Sequence, residues 1–352
     1  MDGIREGGRL APGSLPLKDP IEAVQTQFRA FPEIPAWPQL PKKSEKEQMN
    51  RQGLSGLPGL SWPTDDQPVF TLSKTDTAEA IETLKTENQG NRLSRAAFKQ
   101  DEASGFFAFL DQAPRLISAG VSAVKGQIAG PITLGLTIRD EAGKPLLASR
   151  ESMGVLVEYL VMHCRWQVQK LSMVRKPVVF FLDEPFLGGN FQPEPYGLEW
   201  KDIQALLGKV LEALQDDGVL TGIHSCGPGP WDWLYETPVE IFHFDGFKHM
   251  GHVLEQPQKF GEYIHKGGMV VWGMVPTEVS KGGFSHPDEL FHQWVDAYEI
   301  LVKKGLSREE LIGRSFFSTS CGLANSSVRV MEESIRCLGS LVSLWRSNIS
   351  LK

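Results

Sequence analysis

A histidine and a cysteine lie two residues apart in the stretch TGIHSCGPGP, residues 221–230. Alternate residues of an extended chain point to the same side, so His224 and Cys226 can reach one metal ion. Imidazole nitrogen and thiolate sulfur are ligands that zinc prefers, but a zinc site needs three or four of them. The pair alone is equally compatible with two buried neighbours without function, so its interpretation depends on a ligand from elsewhere in the chain.

A third metal ligand is predicted at Cys321, where the β-prone run SFFSTS ends in Cys-Gly just as GIHS does. The other two cysteines, Cys164 and Cys337, lie in segments with helical spacing of apolar residues and are predicted to be inert core thiols. His224, Cys226 and Cys321 supply one nitrogen and two sulfurs and leave a fourth zinc position for a substrate.

Carboxylates end two other apolar runs. Asp245 follows VEIFHF and is a candidate for a weak fourth ligand or for a group that orients His224. Asp183 and Glu184 follow VVFFL, where an unpaired carboxylate is costly to bury. An acidic group at that place suits recognition of a ligand ammonium or a proton transfer. It can also cap the next helix or pair with an arginine of the core. Four basic residues near Asp245 are predicted to lie in a solvated loop: His243, Lys248, His249 and His252.

Short apolar runs alternate with helical patterns over most of the chain, which is typical of parallel βαβ units. Helices are predicted over 151–174, 199–214, 257–265, 287–303 and 326–345. At least five units follow one another, and none opens with the Gly-x-Gly-x-x-Gly pattern of dinucleotide-binding folds. An eight-stranded (β/α)8 TIM barrel is therefore predicted in preference to a doubly wound sheet. Since active sites of such barrels lie at the carboxyl ends of the strands, all the candidate residues are expected to meet on one rim.

The first 62 residues are rich in proline and glycine and are predicted to form an arm with few long helices. We assign this arm, residues 1–62, to the barrel domain, with the first strand near residues 11–16. Residues 63–352 are predicted to form the remainder of the single catalytic domain.

The composition narrows the class of partner. A net charge of -7 over 352 residues argues against a general nucleic-acid-binding protein. The sequence shows no apolar run of transmembrane length, and its first residues lack the apolar core of a signal peptide, so a cytoplasmic protein without a membrane partner is predicted. Four scattered cysteines are too few for a disulfide scaffold.

The chain resembles the zinc-containing catalytic barrel of the cobalamin-independent methionine synthases, which is grouped with the uroporphyrinogen decarboxylases and the corrinoid-dependent coenzyme M methyltransferases. The resemblance spans nearly the whole chain, and its most specific part is the His-x-Cys with a distant Cys-Gly. It implies a Zn²⁺-dependent methyl transfer to the thiol of homocysteine, which yields methionine. The motifs that carry it occur in the family's order: GSLP, GPITLG, FFLDEP, IHSCG, FHFDGF, WGMVPT and STSCG.

The resemblance also implies roles for single residues. Zinc is expected at His224, Cys226 and Cys321, and Asp245 stands where the family has a glutamate, so its shorter side chain departs from the pattern. Asp183 matches the acidic residue of the DEP motif that holds the homocysteine amino group. Asp183 and Asp245 are thus the predicted catalytic carboxylates.

Further contacts with the amino acid are expected from Glu184, beside Asp183, and from Gly13 and Ser14, which match the loop that contacts the homocysteine carboxylate. The family has one more glutamate at the amino acid. No residue of this sequence matches it by motif, and the acidic candidates for its place are Asp65 and Asp66 in WPTDDQP.

The larger methionine synthases carry an additional N-terminal barrel that helps to hold a methylfolate. This sequence shows one barrel-sized region, so it resembles the compact core form, which is thought to take its methyl group from a corrinoid protein. The expected partners are homocysteine and a methylcorrinoid protein or methylcobalamin.

Three alternatives remain open at this stage. Methyl transfer to another small thiol, such as coenzyme M, uses the same zinc, although a sulfonate acceptor is better matched by cations than by Asp183. A decarboxylase of the uroporphyrinogen type has no use for two cysteines and a histidine. A non-catalytic protein that binds zinc or a corrinoid partner is the reading from a different functional class.

Overall fold

The computed structural model describes residues 7–63, 67–229, 231–279 and 283–349. The strands within these ranges are β1 (Leu60–Ser61), β2 (Val69–Phe70), β3 (Val124–Ala129), β4 (Arg139–Asp140), β5 (Val178–Asp183), β6 (Leu220–Ser225), β7 (Ile241–Phe244), β8 (Met269–Val275) and β9 (Ser315–Thr319). The α-helices are α1 (Pro20–Ala30), α2 (Lys74–Gln89), α3 (Ser104–Leu116), α4 (Pro131–Thr137), α5 (Arg150–Leu171), α6 (Trp200–Asp216), α7 (Asp232–Tyr235), α8 (Gly246–Glu255), α9 (Pro257–His265), α10 (Pro287–Lys303), α11 (Arg308–Gly313) and α12 (Val328–Asn348).

Six of these strands form one parallel sheet in the order β3-β5-β6-β7-β8-β9. Two irregular N-terminal segments join its edges. Residues 34–39 pair with β3 through Ala36 and Lys125, and residues 9–14 pair with β9 through Arg9 and Phe317. The two segments also pair in parallel with each other, so eight strands close into a ring. The predicted (β/α)8 TIM barrel is confirmed.

Prolines explain why the two N-terminal strands are irregular. Pro12 and Pro35 have no backbone N–H group, so neither can donate a hydrogen bond to the sheet at its own position. Neighbouring amides still do so: Leu10 donates to the carbonyl of Phe317 at 3.0 Å, and Trp37 donates to that of Lys125 at 3.3 Å. The Pro-rich N-terminal segment therefore contributes two strands to the barrel wall.

The five predicted helices are present as α5, α6, α9, α10 and α12. The solvated loop predicted after β7 is wrong, because α8 occupies that segment and contains Lys248, His249 and His252. The side chain of Asp245 caps this helix by accepting a 2.8 Å bond from the amide of Lys248. His243 lies in β7 and is fully buried. The helix is short, and its histidines mask the apolar spacing that would have predicted it.

The inside of the barrel holds both apolar and polar side chains. Part of the interior is apolar, as is usual for barrel interiors, and is filled by residues such as Val179, Ile241 and Val271. Polar side chains also occupy inward positions, in β3 and at the carboxyl ends of β5, β6 and β7. Buried there are Lys125, Gln127, Asp183, His224 and His243. A buried polar layer is costly unless its groups are used, so these positions mark the functional part of the barrel.

Lys125 gives a testable consequence of this layer. Its ammonium is fully buried, donates to the carbonyl of Pro12 at 3.0 Å and lies 4.7 Å from the centre of the Phe181 ring. Burial lowers the pKa of Lys125 to about 8, although the charge of Asp183 raises it. The folded protein therefore releases this proton at a lower pH than the unfolded chain does.

We expect the stability of the wild type, measured against Lys125→Met, to rise as the pH increases from about 8 to 10.5. Below pH 8 the buried ammonium is charged and destabilises the fold by its full cost. Between pH 8 and 10.5 the free energy of unfolding is expected to rise by up to about 3 kcal/mol. Urea unfolding of both proteins at several pH values measures the difference. A difference in stability that does not change between pH 8 and 10.5 would contradict the prediction.

None of the helices in the described ranges combines the length and the apolar character that crossing a bilayer requires.

Candidate metal centre

The side chains of His224, Cys226 and Cys321 meet at the carboxyl ends of β6 and β9. One ligand atom from each lies within 4.8 Å of the others. His224 is inside the barrel at 7% exposure, and both cysteines are partly buried free thiols. Two parallel strands on opposite sides of β7 and β8 thus bring together residues that are far apart in sequence.

The chemistry of this group fits a metal ion. Both ring nitrogens of His224 are buried, and neither makes a hydrogen bond. Leaving a buried polar atom without a partner costs about 1–3 kcal/mol. A cation that accepts one nitrogen and two sulfurs removes part of this cost. One nitrogen and two thiolate sulfurs are also a donor set suited to zinc, with a position left open.

The protons of the group are coupled. A hydrogen bond between the two thiols lowers the pKa of Cys226. The same hydrogen bond, together with burial, raises the pKa of Cys321. Burial lowers the pKa of His224, but Cys321 and Asp183 raise it more strongly, so its net shift is upward. The protonation of each of these three side chains therefore depends on that of its neighbours.

Asp245 lies outside this group of ligand atoms. It is buried at the end of β7, and one of its carboxylate oxygens caps α8. Burial raises its pKa, while the amide and charge of Lys248 lower it. The carboxylate lies close enough to Cys226 to raise the pKa of that thiol. Asp245 is therefore a neighbour of the metal group, and the interaction it makes in this structure is the cap of α8.

A cavity of about 380 Å³ opens beside the three side chains. Asp183 lies on its wall at 5% exposure, and its Oδ1 atom has no hydrogen-bond partner. Burial raises the pKa of Asp183, while Lys125 and His224 lower it. A ligand that brings a cationic N–H group into the cavity would satisfy this oxygen.

Glu184 has a different place from the one predicted. It is fully buried, and both of its carboxylate oxygens accept bonds from the first turn of α4, namely from the amides of Ile132 and Thr133 at 2.9 and 2.8 Å. The hydroxyl of Thr133 adds a third bond at 2.6 Å. Burial raises the pKa of Glu184 to about 7 despite these bonds. Glu184 therefore anchors a helix on the outer side of the strand and does not face the cavity.

Glu47 is a cavity residue that sequence reasoning missed. It is 1% exposed and lines the same cavity as Asp183. Its Oε1 atom accepts bonds from Ser104, but its Oε2 atom is buried without a partner. Burial raises the pKa of Glu47, while the hydrogen bond from Ser104 lowers it. Two buried carboxylates, each with one unpartnered oxygen, thus line one small cavity.

The predicted Gly13–Ser14 loop lies at the cavity, and Ser14 lines it. Gly13 has φ +117°, a conformation that favours glycine, and a side chain there would crowd Gln127. Its carbonyl accepts a 2.9 Å bond from the side chain of Gln27. The hydroxyl of Ser14 occupies the space left free by Gly322, next to Cys321. Asp65 and Asp66, the other candidates for an acidic contact, lie outside the described residues.

No family model and no curated protein matches the chain. Among solved structures, the chain is similar to a B12-independent methionine synthase from Shewanella sp. W3-18-1 in complex with selenomethionine, with 14% identity, a TM-score of 0.59 and coverage of 99% of this chain and 100% of that one. An endo-β-1,4-mannanase from Cellulomonas fimi is less similar, with 16% identity, a TM-score of 0.44 and coverage of 96% and 72%. At 14% identity the likeness to the Shewanella structure supports the barrel fold alone.

Proposed function

We propose that the protein is a zinc-dependent methyltransferase that transfers a methyl group to the thiol of homocysteine and forms methionine. The observation that carries the proposal is one cavity that holds both a metal-binding His/Cys/Cys group and two buried carboxylates, Asp183 and Glu47, each with an unpartnered oxygen. A small amino acid with a thiol offers a matching group to each of these features. Free thiols at the centre are compatible with a reducing compartment such as the cytoplasm.

His224, Cys226 and Cys321 would hold the zinc. When bound there, zinc lowers the pKa of the acceptor thiol so that it is a thiolate at neutral pH. The chain itself orients the rest of the acceptor. Asp183 and Glu47 bind its ammonium group by charge-assisted hydrogen bonds, and the Gly13–Ser14 segment lies beside its carboxylate. The acceptor sulfur then forms a bond to the methyl carbon, and the bond from that carbon to the donor breaks with its electron pair leaving on the donor.

The solved neighbour from Shewanella is named as a methionine synthase, and it covers the whole of this chain. Its name also describes it as independent of B12, but at 14% identity the donor of that protein is not transferred to this one. We propose a methylcorrinoid, free or protein-bound, as the donor for this chain.

The competing acceptor is coenzyme M. Its sulfonate carries a negative charge and no ammonium group, so two free carboxylate oxygens in the cavity repel it. Outside the metal group, Asp183 and Glu47 are the ionisable side chains of the described cavity lining, and no lysine or arginine lines it. The homocysteine reading is therefore favoured. A decarboxylase has no use for the thiols, and a purely binding protein has no need of an open metal position beside an amino acid pocket.

We expect Asp183→Asn to raise the KM for homocysteine about tenfold or more, because it removes a charge-assisted hydrogen bond worth roughly 1.5–3 kcal/mol. Zinc content should stay at that of the wild type. Steady-state methyl transfer from methylcobalamin measures KM, and elemental analysis measures zinc. The simple thiol 2-mercaptoethanol, which has no ammonium group, is the control acceptor and should show the same KM with both proteins. An unchanged homocysteine KM, or a wild type that prefers coenzyme M, would contradict the assignment of the acceptor.

A further inference from the structure

His243 is a second buried histidine next to the metal group. Strands β6 and β7 pair in register so that His243 lies beside His224, and both side chains point into the barrel. The two ring centroids are 4.3 Å apart. His243 is fully buried.

The same ring reaches the strand that carries the third ligand. Its Nε2 atom donates to the carbonyl of Thr319 at 3.1 Å, since a carbonyl can only accept. Thr319 ends β9 two residues before Cys321, and its hydroxyl donates to the carbonyl of Cys321 at 2.8 Å. His243 thus contacts His224 on one side and holds the Cys321 segment on the other.

Strand β8 lies between β7 and β9, and it carries a glycine close to the Thr319 carbonyl. A side-chain carbon on Gly273 would lie 3.1 Å from the Thr319 carbonyl and even closer to the carbonyl of Phe244. The absence of a side chain on Gly273 thus lets the backbone of both neighbouring strands, including the Thr319 carbonyl that His243 contacts, come close to β8.

Several ring nitrogens here lack a hydrogen-bond partner. With Nε2 donating to Thr319, the Nδ1 atom of His243 is buried without a partner. Both ring nitrogens of His224 are also buried without one, so the two rings are in contact but are not hydrogen-bonded to each other. A histidine that binds a metal through one nitrogen needs an acceptor for the N–H on the other, and such partners fix the orientation of the ring.

We propose that His243 is a positioning residue of the metal centre, which holds the ring of His224 and the strand end of Cys321 in the arrangement that one ion requires. This inference rests on the metal site of the proposed function and on no step of methyl transfer. The consequence appears first in metal affinity. Loss of an outer partner of a metal-binding histidine typically weakens binding 10–100-fold.

The test compares His243→Phe with His243→Gln. Phenylalanine keeps an aromatic ring but cannot donate to Thr319, whereas the amide of glutamine can replace that donor. We expect the zinc affinity, measured by competition with a chelator, to fall about 10–100-fold in His243→Phe and to return to within about threefold of the wild type in His243→Gln. In Co²⁺-substituted protein, the visible absorption bands should shift in His243→Phe at saturating cobalt, because the ligand geometry changes.

His163→Phe is the matched control. His163 is also fully buried and bonded to a backbone carbonyl, that of Ala96 at 2.6 Å, but it lies outside the metal centre. The zinc affinity and the cobalt spectrum of His163→Phe should equal those of the wild type.

Equal zinc affinity and equal cobalt spectra for wild type and His243→Phe would overturn the inference. If His243→Phe does not fold, the wild-type affinity of His243→Gln supports it and a 10–100-fold loss overturns it. Zinc binding without methyl transfer counts against the proposed function alone, and a wild type that binds neither metal overturns both.

Discussion

Cys321→Ser is expected to lose zinc and methyl-transfer activity together, each by more than about 100-fold. The ligand atoms of His224, Cys226 and Cys321 lie within 4.8 Å of one another, so all three contribute to one site. A serine hydroxyl is a poor zinc ligand beside a thiolate, and with only one nitrogen and one sulfur remaining the site falls below the number of ligands that zinc needs. Cys226→Ser should behave in the same way. Elemental analysis of the purified proteins and a homocysteine assay measure both losses.

The control for this prediction is Cys337→Ser. The thiol of Cys337 is partly buried and donates to the carbonyl of Ser285 at 3.6 Å, a bond that a hydroxyl can also make. This variant should keep one zinc per chain and full activity. Circular dichroism should show that all of these proteins are folded, because the replaced side chains lie at the rim or on a helix. A Cys321→Ser protein with full zinc content would exclude Cys321 as a ligand and with it the proposed centre.

The metal group was accessible to sequence reasoning because each member ends a strand. Cys-Gly after a β-prone run marked both Cys226 and Cys321, and the barrel brings all strand ends to one rim. No spacing rule for a local metal motif would have joined residues so far apart. The prediction needed the fold before it could pair the residues.

Glu184 shows what strand alternation decides. Adjacent residues of a strand point to opposite faces, so Asp183 and Glu184 cannot both face the barrel interior. Asp183 points inward, and Glu184 therefore points to the helices, where it binds the N-terminus of α4. Strand alternation, applied to the sequence Asp-Glu, would have predicted that only one of the two residues faces the barrel interior. The sequence could not tell which of the two faced inward, because both carboxylates end the same run.

Glu47 and His243 could not be found in this way. Glu47 reaches the cavity because the chain after the second barrel strand crosses the rim, and that path is set by contacts such as the bonds to Ser104. His243 points to the same side of its strand as Asp245. Its contact with His224, however, depends on the register between β6 and β7, which cannot be read from the sequence. Side chains placed by tertiary contacts and by register are thus the ones that only the folded chain reveals.

The last prediction concerns the donor: methylcobalamin should methylate homocysteine at least about tenfold faster than methyltetrahydrofolate, a difference of about 1.4 kcal/mol in the barrier. The methyl group on a folate nitrogen leaves behind an amine anion unless an acid protonates that nitrogen. Among the described residues of the cavity outside the metal group, the carboxyl groups are Asp183 and Glu47, and both are needed as anions for the acceptor's ammonium. A cobalt-bound methyl group needs no such proton, because cobalt accepts the electron pair.

The rim also suits a large donor. Four apolar side chains in the segments that follow β5, β8 and β9 are exposed to solvent: Phe186, Val279, Phe284 and Val328. A corrinoid presents a broad face that can rest on such a rim while its methyl group points into the cavity. The assay compares both donors at equal concentration with the same zinc-loaded protein, and Cys321→Ser gives the uncatalysed background for each. Faster turnover with methyltetrahydrofolate would refute the corrinoid donor and would require an acid in contact with the folate nitrogen, while the metal group and the acceptor pocket would keep their assignments.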